Sequence, residues 1–311
     1  YFWQRGEYGS AELLSLRALA ISERAVGPDH PDVARSLNNL ALAYWNQGRY
    51  AEAESLYRRA LAIWEKALGA DHPHVAHSLN NLAIVYADQG RYAEVEPLHT
   101  RALAIREKAL GPDHPDVAAT LNNLAVVYVE QGRYAEAEPL HARALAIKEK
   151  AHGPDHPNVA QSLNNLASVH HHQGRYAEAE SLQTRALAIW EKALGPDHPD
   201  VGQSLNDLAN LYRAQARFAD AEPLHARALA IREKAFGPDH PEVAESLNDC
   251  ALTYREQGRY REAEALFSRA LSIRERALGP EHPLTNANRE ALKALRSSTS
   301  SQVSSPTDRR R

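Results

Sequence analysis

The sequence is poor in the residues that build disulfides, zinc clusters and membrane spans. Its single cysteine, Cys250, allows neither an intramolecular disulfide nor a cluster of thiolate metal ligands. Apolar runs are short and interrupted by charged residues, so no segment reaches the length of a transmembrane helix. We expect no signal peptide either, and we expect a cytoplasmic protein that does not contact a membrane.

The sequence also lacks a strong excess of either positive or negative charge. The 36 basic and 40 acidic residues give a formal net charge of −4, and the only concentrated basic stretch is the final run of arginines. Proteins that bind nucleic acid present a concentrated basic surface, so this class of function is excluded. Methionine is absent and Tyr1 falls inside a repeated segment, so we expect the chain to be part of a longer protein.

What the sequence does contain is a strict repeat. The dipeptide His-Pro recurs every 42 residues, and nearly the same text separates consecutive copies. The copies begin at His30, His72, His114, His156, His198, His240 and His282. A fixed period in this range is typical of stacked repeat arrays.

Each repeat predicts two antiparallel helices. The first begins at Pro31, where a missing N–H costs nothing, and is ended by Gly48. The second runs from about Tyr50 and is ended by Gly69. Apolar residues recur at three- and four-residue steps, as in helices with one buried face. In the first repeat they are Val33, Leu37, Leu40, Ala41, Tyr44, Ala53, Leu56, Tyr57, Ala60, Leu61 and Trp64.

Small residues recur where two helices must approach each other closely. They occupy Ala41, Ala53, Ala60, Ala83, Val95, Ala102, Ala125, Ala137 and Ala144. One face of an isolated helix pair would stay in water, so neighbouring pairs must stack. We therefore predict an all-α solenoid over residues 1–296.

The period fixes the layout of this solenoid. Six helix pairs begin near residues 31, 73, 115, 157, 199 and 241. A single helix over 8–26 precedes them, and a helix over 284–296 with one polar face serves as a cap. Residues 297–311 show no periodicity and are predicted to be a disordered tail.

The repeat resembles the tetratricopeptide consensus at Leu40, Ala41, Tyr44, Gly48, Tyr50, Ala53, Tyr57 and Ala60. The consensus unit has about 34 residues, and here the extra length lies near Gly-Pro-Asp-His-Pro. This longer unit resembles the repeats of kinesin light chains and their bacterial relatives, from about Gly6 to Pro283. The resemblance implies a right-handed superhelix that binds protein on a concave wall lined by the first helices.

Asparagine pairs recur on the face of the first helix opposite its core, which the resemblance places on the concave wall. They are Asn38 and Asn39, Asn80 and Asn81, Asn122 and Asn123, and Asn164 and Asn165, followed by Asn206 and Asn248, each before an aspartate. An amide donates and accepts, so this ladder can bind the backbone of an extended peptide. Alternatively, these amides bond neighbouring helices and only set the repeat geometry.

Beside the amides the predicted wall is apolar in the early repeats and polar and charged in the later ones. This asymmetry favours a ligand with an apolar anchor at the early repeats. The predicted selectivity residues are Leu42, Ile84, Val126, Trp45, Arg35 and His77. In the later repeats, charges such as Arg213 and Glu256 are expected to pair with each other.

The sequence shows no pattern for catalysis, metal binding or a cofactor. It lacks phosphate-binding glycine loops and a nucleophile elbow. The His-Pro histidines stand one repeat apart and cannot converge on one ion, and His170, His171 and His172 point in different directions along a helix. Cys250 stands in a leucine column and is predicted to be an unreactive core residue. We expect no enzyme, no cofactor and no bound metal.

The sequence therefore predicts an interaction scaffold that holds a peptide segment of a protein partner. One alternative is the sensor or assembly arm of a larger signalling protein or enzyme, such as an NTPase switch or a protease. Another is a structural spacer or a self-assembly module that associates through an uncapped amino-terminal end.

Overall fold

The computed structural model describes the backbone of residues 8–303 and the side chains of residues 11–297. These residues form fourteen α-helices, and none of them forms a strand. The helices are α1 (Tyr8–Val26), α2 (Pro31–Asn46), α3 (Tyr50–Leu68), α4 (Pro73–Asp88), α5 (Tyr92–Leu110), α6 (Pro115–Glu130), α7 (Tyr134–His152), α8 (Pro157–His172), α9 (Tyr176–Leu194), α10 (Pro199–Ala214), α11 (Phe218–Phe236), α12 (Pro241–Glu256), α13 (Tyr260–Leu278) and α14 (Pro283–Val303).

The chain divides into two compact units, residues 1–153 and residues 154–311. We call them the first unit and the second unit and describe each by itself. Each contains three helix pairs in which a 16-residue first helix is followed by a 19-residue second helix. The prediction of a helix-pair solenoid is confirmed.

The seven His-Pro dipeptides set where the helices that follow them begin. In each, the imidazole Nδ1 accepts a hydrogen bond from the backbone N–H two residues later, at 3.1–3.2 Å. This bond satisfies a donor at the helix start that has no partner within the helix, and proline at the next position has no N–H to satisfy. The histidines therefore act as helix caps.

The small residues of the repeat lie where the helices approach most closely. All nine small positions named above are fully buried, with 0 % exposure. Val33 and Leu37 are also fully buried. Tyr44 is only half-buried, because it lies at the edge of the core, where the Arg49 guanidinium covers its ring at 3.8 Å.

The last helix is longer than the sequence suggested. α14 continues to Val303, seven residues past the predicted end at 296. No glycine or proline interrupts the chain between Pro283 and Pro306, and serine and threonine continue a helix at modest cost. The predicted boundary between the cap and the tail at 296 therefore lies within α14, and 304–311 lie outside the described residues. No described helix is long and apolar enough to cross a membrane.

Candidate peptide-binding surface

The first asparagine of each pair lies toward the neighbouring helices. Asn38, Asn122 and Asn206 are 7 %, 8 % and 1 % exposed. We call this set, completed by Asn80, Asn164 and Asn248, the first asparagine column. Burial leaves these three side chains little surface for a ligand, so their peptide-binding role stays a prediction and they are not counted in the candidate surface.

Each buried amide is satisfied inside its own unit. Asn38 donates to the carbonyl of Ala34 at 2.9 Å and to Ser78 Oγ at 3.2 Å. Asn122 Oδ1 accepts a hydrogen bond from His141 Nδ1 at 2.9 Å, and Asn206 Oδ1 accepts one from His225 at 3.1 Å. The Asn38–Ser78 bond joins α2 to α4, and the two Asn–His bonds join the two helices of one pair, as the structural alternative described.

The other members of the first column are half-buried. Asn80 Oδ1 accepts a hydrogen bond from Asn123 Nδ2 at 2.9 Å. Asn164 Oδ1 is buried without a hydrogen-bond partner. Asn248 is half-buried at the corresponding position of α12.

The second asparagine of each pair remains at the surface. Asn39 is exposed, and Asn81, Asn123 and Asn165 are half-buried. We call these four residues the second asparagine column. Asn81 and Asn165 contact the side chains of His77 and Gln161 one helical turn earlier, at 3.2 and 3.1 Å. Their bonding is local, so these amides are accessible to a ligand.

The predicted selectivity residues all belong to the first unit. Leu42 and Val126 are 37 % and 45 % exposed. Ile84 and Trp45 are half-buried, and the Trp45 indole N–H donates to the Asp88 carboxylate.

Arg35 and His77 lie on exposed parts of the first helices. Arg35 forms an exposed ion pair with Asp32 at 3.1 Å. Although His77 as a whole residue is exposed, desolvation of its ring and the charge of Arg106 lower its pKa, so the neutral form predominates near pH 7. Arg35 is therefore the charged member of the predicted selectivity set.

In the second unit, most charges on the first helices are paired, as expected. Arg213 contacts Glu256 at 2.8 Å. Asp249 accepts hydrogen bonds from the amides of Asn206 and Asn210 at 2.6 and 3.1 Å. These contacts join α10 to α12.

Arg232 is a buried charged residue that the sequence analysis missed. It is 1 % exposed, donates to Ser246 Oγ at 2.9 Å and to the carbonyl of Glu242 at 3.1 Å, and also contacts Gln203. The signal was present, because the same column of the second helices holds Trp64, Arg106, Lys148, Trp190 and Arg274. A long cation there replaces an aromatic ring and bonds the helix that follows.

The second unit also contains a cavity of about 510 Å³ among α8, α9 and α10. Ser168 lines it at the position where α2 and α12 carry leucine, and Gln183 lines it where α3 carries Tyr57. Asn164, Asp207 and Arg213 also face it. Small and polar substitutions in one repeat therefore open a polar cavity.

Cys250 is buried, and burial raises the pKa of its thiol to about 12, so it is not a nucleophile at neutral pH. Within residues 11–297, no group of three or more His, Cys, Asp or Glu side chains is placed to hold a metal ion. His171 stacks on His172 with ring centres 5.5 Å apart.

Helix pairs stacked at a fixed period, with surface amides on the first helices, define the class of α-helical repeat proteins. The tetratricopeptide repeat model matches residues 1–66, 32–108, 79–150, 116–180, 158–234, 212–276 and 251–298. The chain belongs to the tetratricopeptide repeat family. Repeats of this family indicate a protein–protein interaction scaffold, a role that is typically non-catalytic.

Solved structures include proteins of the kinesin light chain type. A kinesin light chain-type protein of Podospora anserina with nearly identical TPR-like repeats is 32 % identical, with a TM-score of 0.59, and the match covers 67 % of this chain and 98 % of that one. BtubC (BKLC) from P. vanneervenii is 25 % identical, with a TM-score of 0.65, and the match covers 74 % and 92 %.

A tetratricopeptide repeat protein from Parabacteroides merdae shares the fold over 94 % of both chains, at 20 % identity and a TM-score of 0.61. No curated protein matches the sequence significantly.

Proposed function

We propose that the scaffold binds an extended peptide segment of a protein partner on the first helices of the first unit. The observation that carries the proposal is the surface position of Asn39, Asn81 and Asn123 beside the exposed side chains of Leu42 and Val126. Large apolar side chains left in water beside accessible amides are typical of interaction surfaces.

The chemistry of these residues suits a peptide backbone. Each second-column amide can donate to a peptide carbonyl and accept from a peptide N–H, so recognition along the backbone does not depend on the sequence of the ligand. Leu42 and Val126 supply an apolar anchor, and Arg35 selects for a nearby acidic group. We expect micromolar affinity, on the order of −8 kcal/mol, because ordering the peptide offsets much of the contact energy.

Replacing Asn39, Asn81 and Asn123 by alanine tests the proposal. Each lost hydrogen bond costs about 1 kcal/mol, so the triple variant should bind a peptide selected on the wild-type chain about 100-fold more weakly. Titration calorimetry measures the affinity. Circular dichroism should show the unfolding midpoint lowered by no more than the loss of one hydrogen bond, because Asn123 is the one of the three amides with a described bond to another helix, to Asn80.

The matched control is Asn122→Ala, in the buried column of the same unit. It removes the partner of His141 and should lower stability by about 1 kcal/mol or more while peptide affinity changes little. Unchanged affinity in the triple variant would reject the second column as the binding surface.

Self-association is a second candidate, and exposed apolar residues on α1 favour it. Ile21 is 68 % exposed, and Leu13 and Leu14 are each 51 % exposed. If this face joins two copies, Ile21→Glu should shift sedimentation from dimer to monomer, because it places a charge in an apolar contact. A wild-type chain that sediments as a monomer at high concentration would exclude this candidate.

A further inference from the structure

The cavity of the second unit lies where a contact made at two other positions of the repeat is absent among the described residues, as it also is between Asn38 and Asn81. In the first unit, Asn123 bonds Asn80, which lies 43 residues earlier. In the second unit, Asp249 and Asn206 form the same contact at the same spacing. The corresponding pair is Asp207 and Asn164, and within the described residues no hydrogen bond joins them.

Both of these residues line the cavity. Asn164 Oδ1 is buried and has no partner. The Asp207 carboxylate is partly buried and takes one side-chain hydrogen bond, from Gln203 at 2.8 Å. A buried carbonyl and a desolvated carboxylate without enough donors cost free energy, and a ligand that brings donors would recover it.

The charged residues around the cavity favour a cation. Arg213 is the one arginine or lysine in its lining, and it is already paired with Glu256 at 2.8 Å. Burial, together with His172 and Arg213, lowers the pKa of His171, so that ring is neutral near pH 7. Asp200 adds a second carboxylate to the lining. The missing partner is therefore a positively charged donor.

We propose that this cavity binds the guanidinium group of an arginine side chain in the partner peptide, with Asp207 and Asn164 Oδ1 as its acceptors. The planar guanidinium carries five N–H donors, so it can bond the carboxylate side-on and still reach the amide oxygen. The volume lies within the range of pockets that enclose small ligands. This proposal rests on the peptide-binding function and specifies a residue that the partner contributes.

The protonation of Asp207 gives the site a pH dependence. Desolvation raises the pKa of Asp207 to about 6, with Glu245 and Asp249 of α12 acting in the same direction and Gln203 and Arg232 acting against it. His171 and His172 face the cavity from α8, and Asp200 and Arg213 face it from α10. A bound cation favours the charged carboxylate, so affinity should fall as the pH is lowered from about 7 to about 5.

The test uses blocked glycine-serine peptides that differ only in a central arginine or citrulline, titrated into the full chain and followed by NMR. Citrulline keeps the shape of arginine without its charge. We expect arginine to bind at least about tenfold more tightly than citrulline. Asp207→Asn should abolish that preference, and the variant should fold, because asparagine occupies this position in α2, α4, α6 and α8.

Two further variants separate binding from structure. Asp249→Asn makes the same change one repeat later, outside the cavity lining, and should keep the preference for arginine. Ser168→Leu restores the residue found in α2 and α12, fills the cavity, and should remove binding without lowering the unfolding midpoint.

Equal affinity for arginine and citrulline would overturn the proposal, as would a preference that survives in Asp207→Asn. Agmatine that binds more tightly than the peptide would overturn the assignment to a partner side chain and indicate a free small-molecule ligand. None of these results tests the peptide-binding function itself, because that function is tested by the alanine variants at Asn39, Asn81 and Asn123 in the first unit.

Discussion

At the scale of single residues, Ala216 occupies a backbone conformation that other repeats give to glycine. Its φ is 57°, and it is the one residue other than glycine with positive φ among those described. The equivalent residues Gly48, Gly90, Gly132, Gly174 and Gly258 have φ between 72° and 77°. Left-handed backbone strains a residue with a Cβ by about 1 kcal/mol.

Ala216→Gly should therefore stabilise the protein. The backbone strain that the substitution relieves is larger than the stabilisation that glycine's extra conformational freedom gives to the unfolded chain. We therefore expect a gain of about 0.5 kcal/mol in the free energy of unfolding. Urea titration measures this change. Gly174→Ala, the reverse change in the same unit, should lower stability by a similar amount, and a loss in both variants would contradict the explanation.

At the scale of the element, the His-Pro caps determine where helices begin. His114 Nδ1 accepts the N–H of Asp116 at 3.1 Å at the start of α6. His114→Ala leaves that N–H without its acceptor and should cost about 1 kcal/mol, as loss of other helix caps does. His114→Asn keeps a side-chain acceptor and should retain most of the stability.

Urea unfolding of the two variants compares the cap directly. If alanine and asparagine destabilise α6 equally, the histidine contributes packing and not a hydrogen bond.

At the scale of the whole molecule, buried histidines make stability depend on pH. Desolvation lowers the pKa of His99, His141 and His225 to about 4 in the folded state, with Arg106 acting on His99 and Lys148 on His141 in the same direction. The ordinary histidine pKa is about 6.5, so the unfolded chain takes up protons first as the pH falls.

The stability from these three side chains is fully present above about pH 6.5 and is lost as the pH falls toward 4. Each contributes on the order of 3 kcal/mol to this loss. Urea midpoints measured at about pH 7 and pH 5 should therefore differ clearly.

A variant with glutamine at all three positions is the control for the pH dependence. Glutamine already occupies this column as Gln183, so the substitution has a precedent in the chain. The variant should show a much flatter pH profile. An equally steep profile would assign the effect to the carboxylates instead.

Much of the fold could be predicted because the same pattern of helix-starting and helix-ending residues recurs along the chain. Pro31 and Gly48 mark the first helix, and Ala53 and Ala60 mark close helix contacts, all from local chemistry that a sequence displays directly. The end of α14 was not predictable in the same way, since no glycine or proline marks it.

The candidate site was less predictable. Asn38 and Asn39 are adjacent, have the same chemistry and recur with the same period, so the sequence could not separate them. A step of about 100° around the helix places one amide against a neighbouring helix and leaves the other at the surface. The column of large residues that contains Arg232 is visible in the sequence, but its burial and its bonds depend on partners in the next pair.

The sequence by itself determined the helix pairs, their period, their caps and the buried small residues, because each depends on a few neighbouring residues repeated along the chain. Only the tertiary structure decided which amides are accessible, how Arg232 is satisfied, and that Ser168 and Gln183 open a cavity beside Asp207. These properties arise where side chains 10 to 43 residues apart meet on separate helices, and the packing of those helices decides which side chains meet.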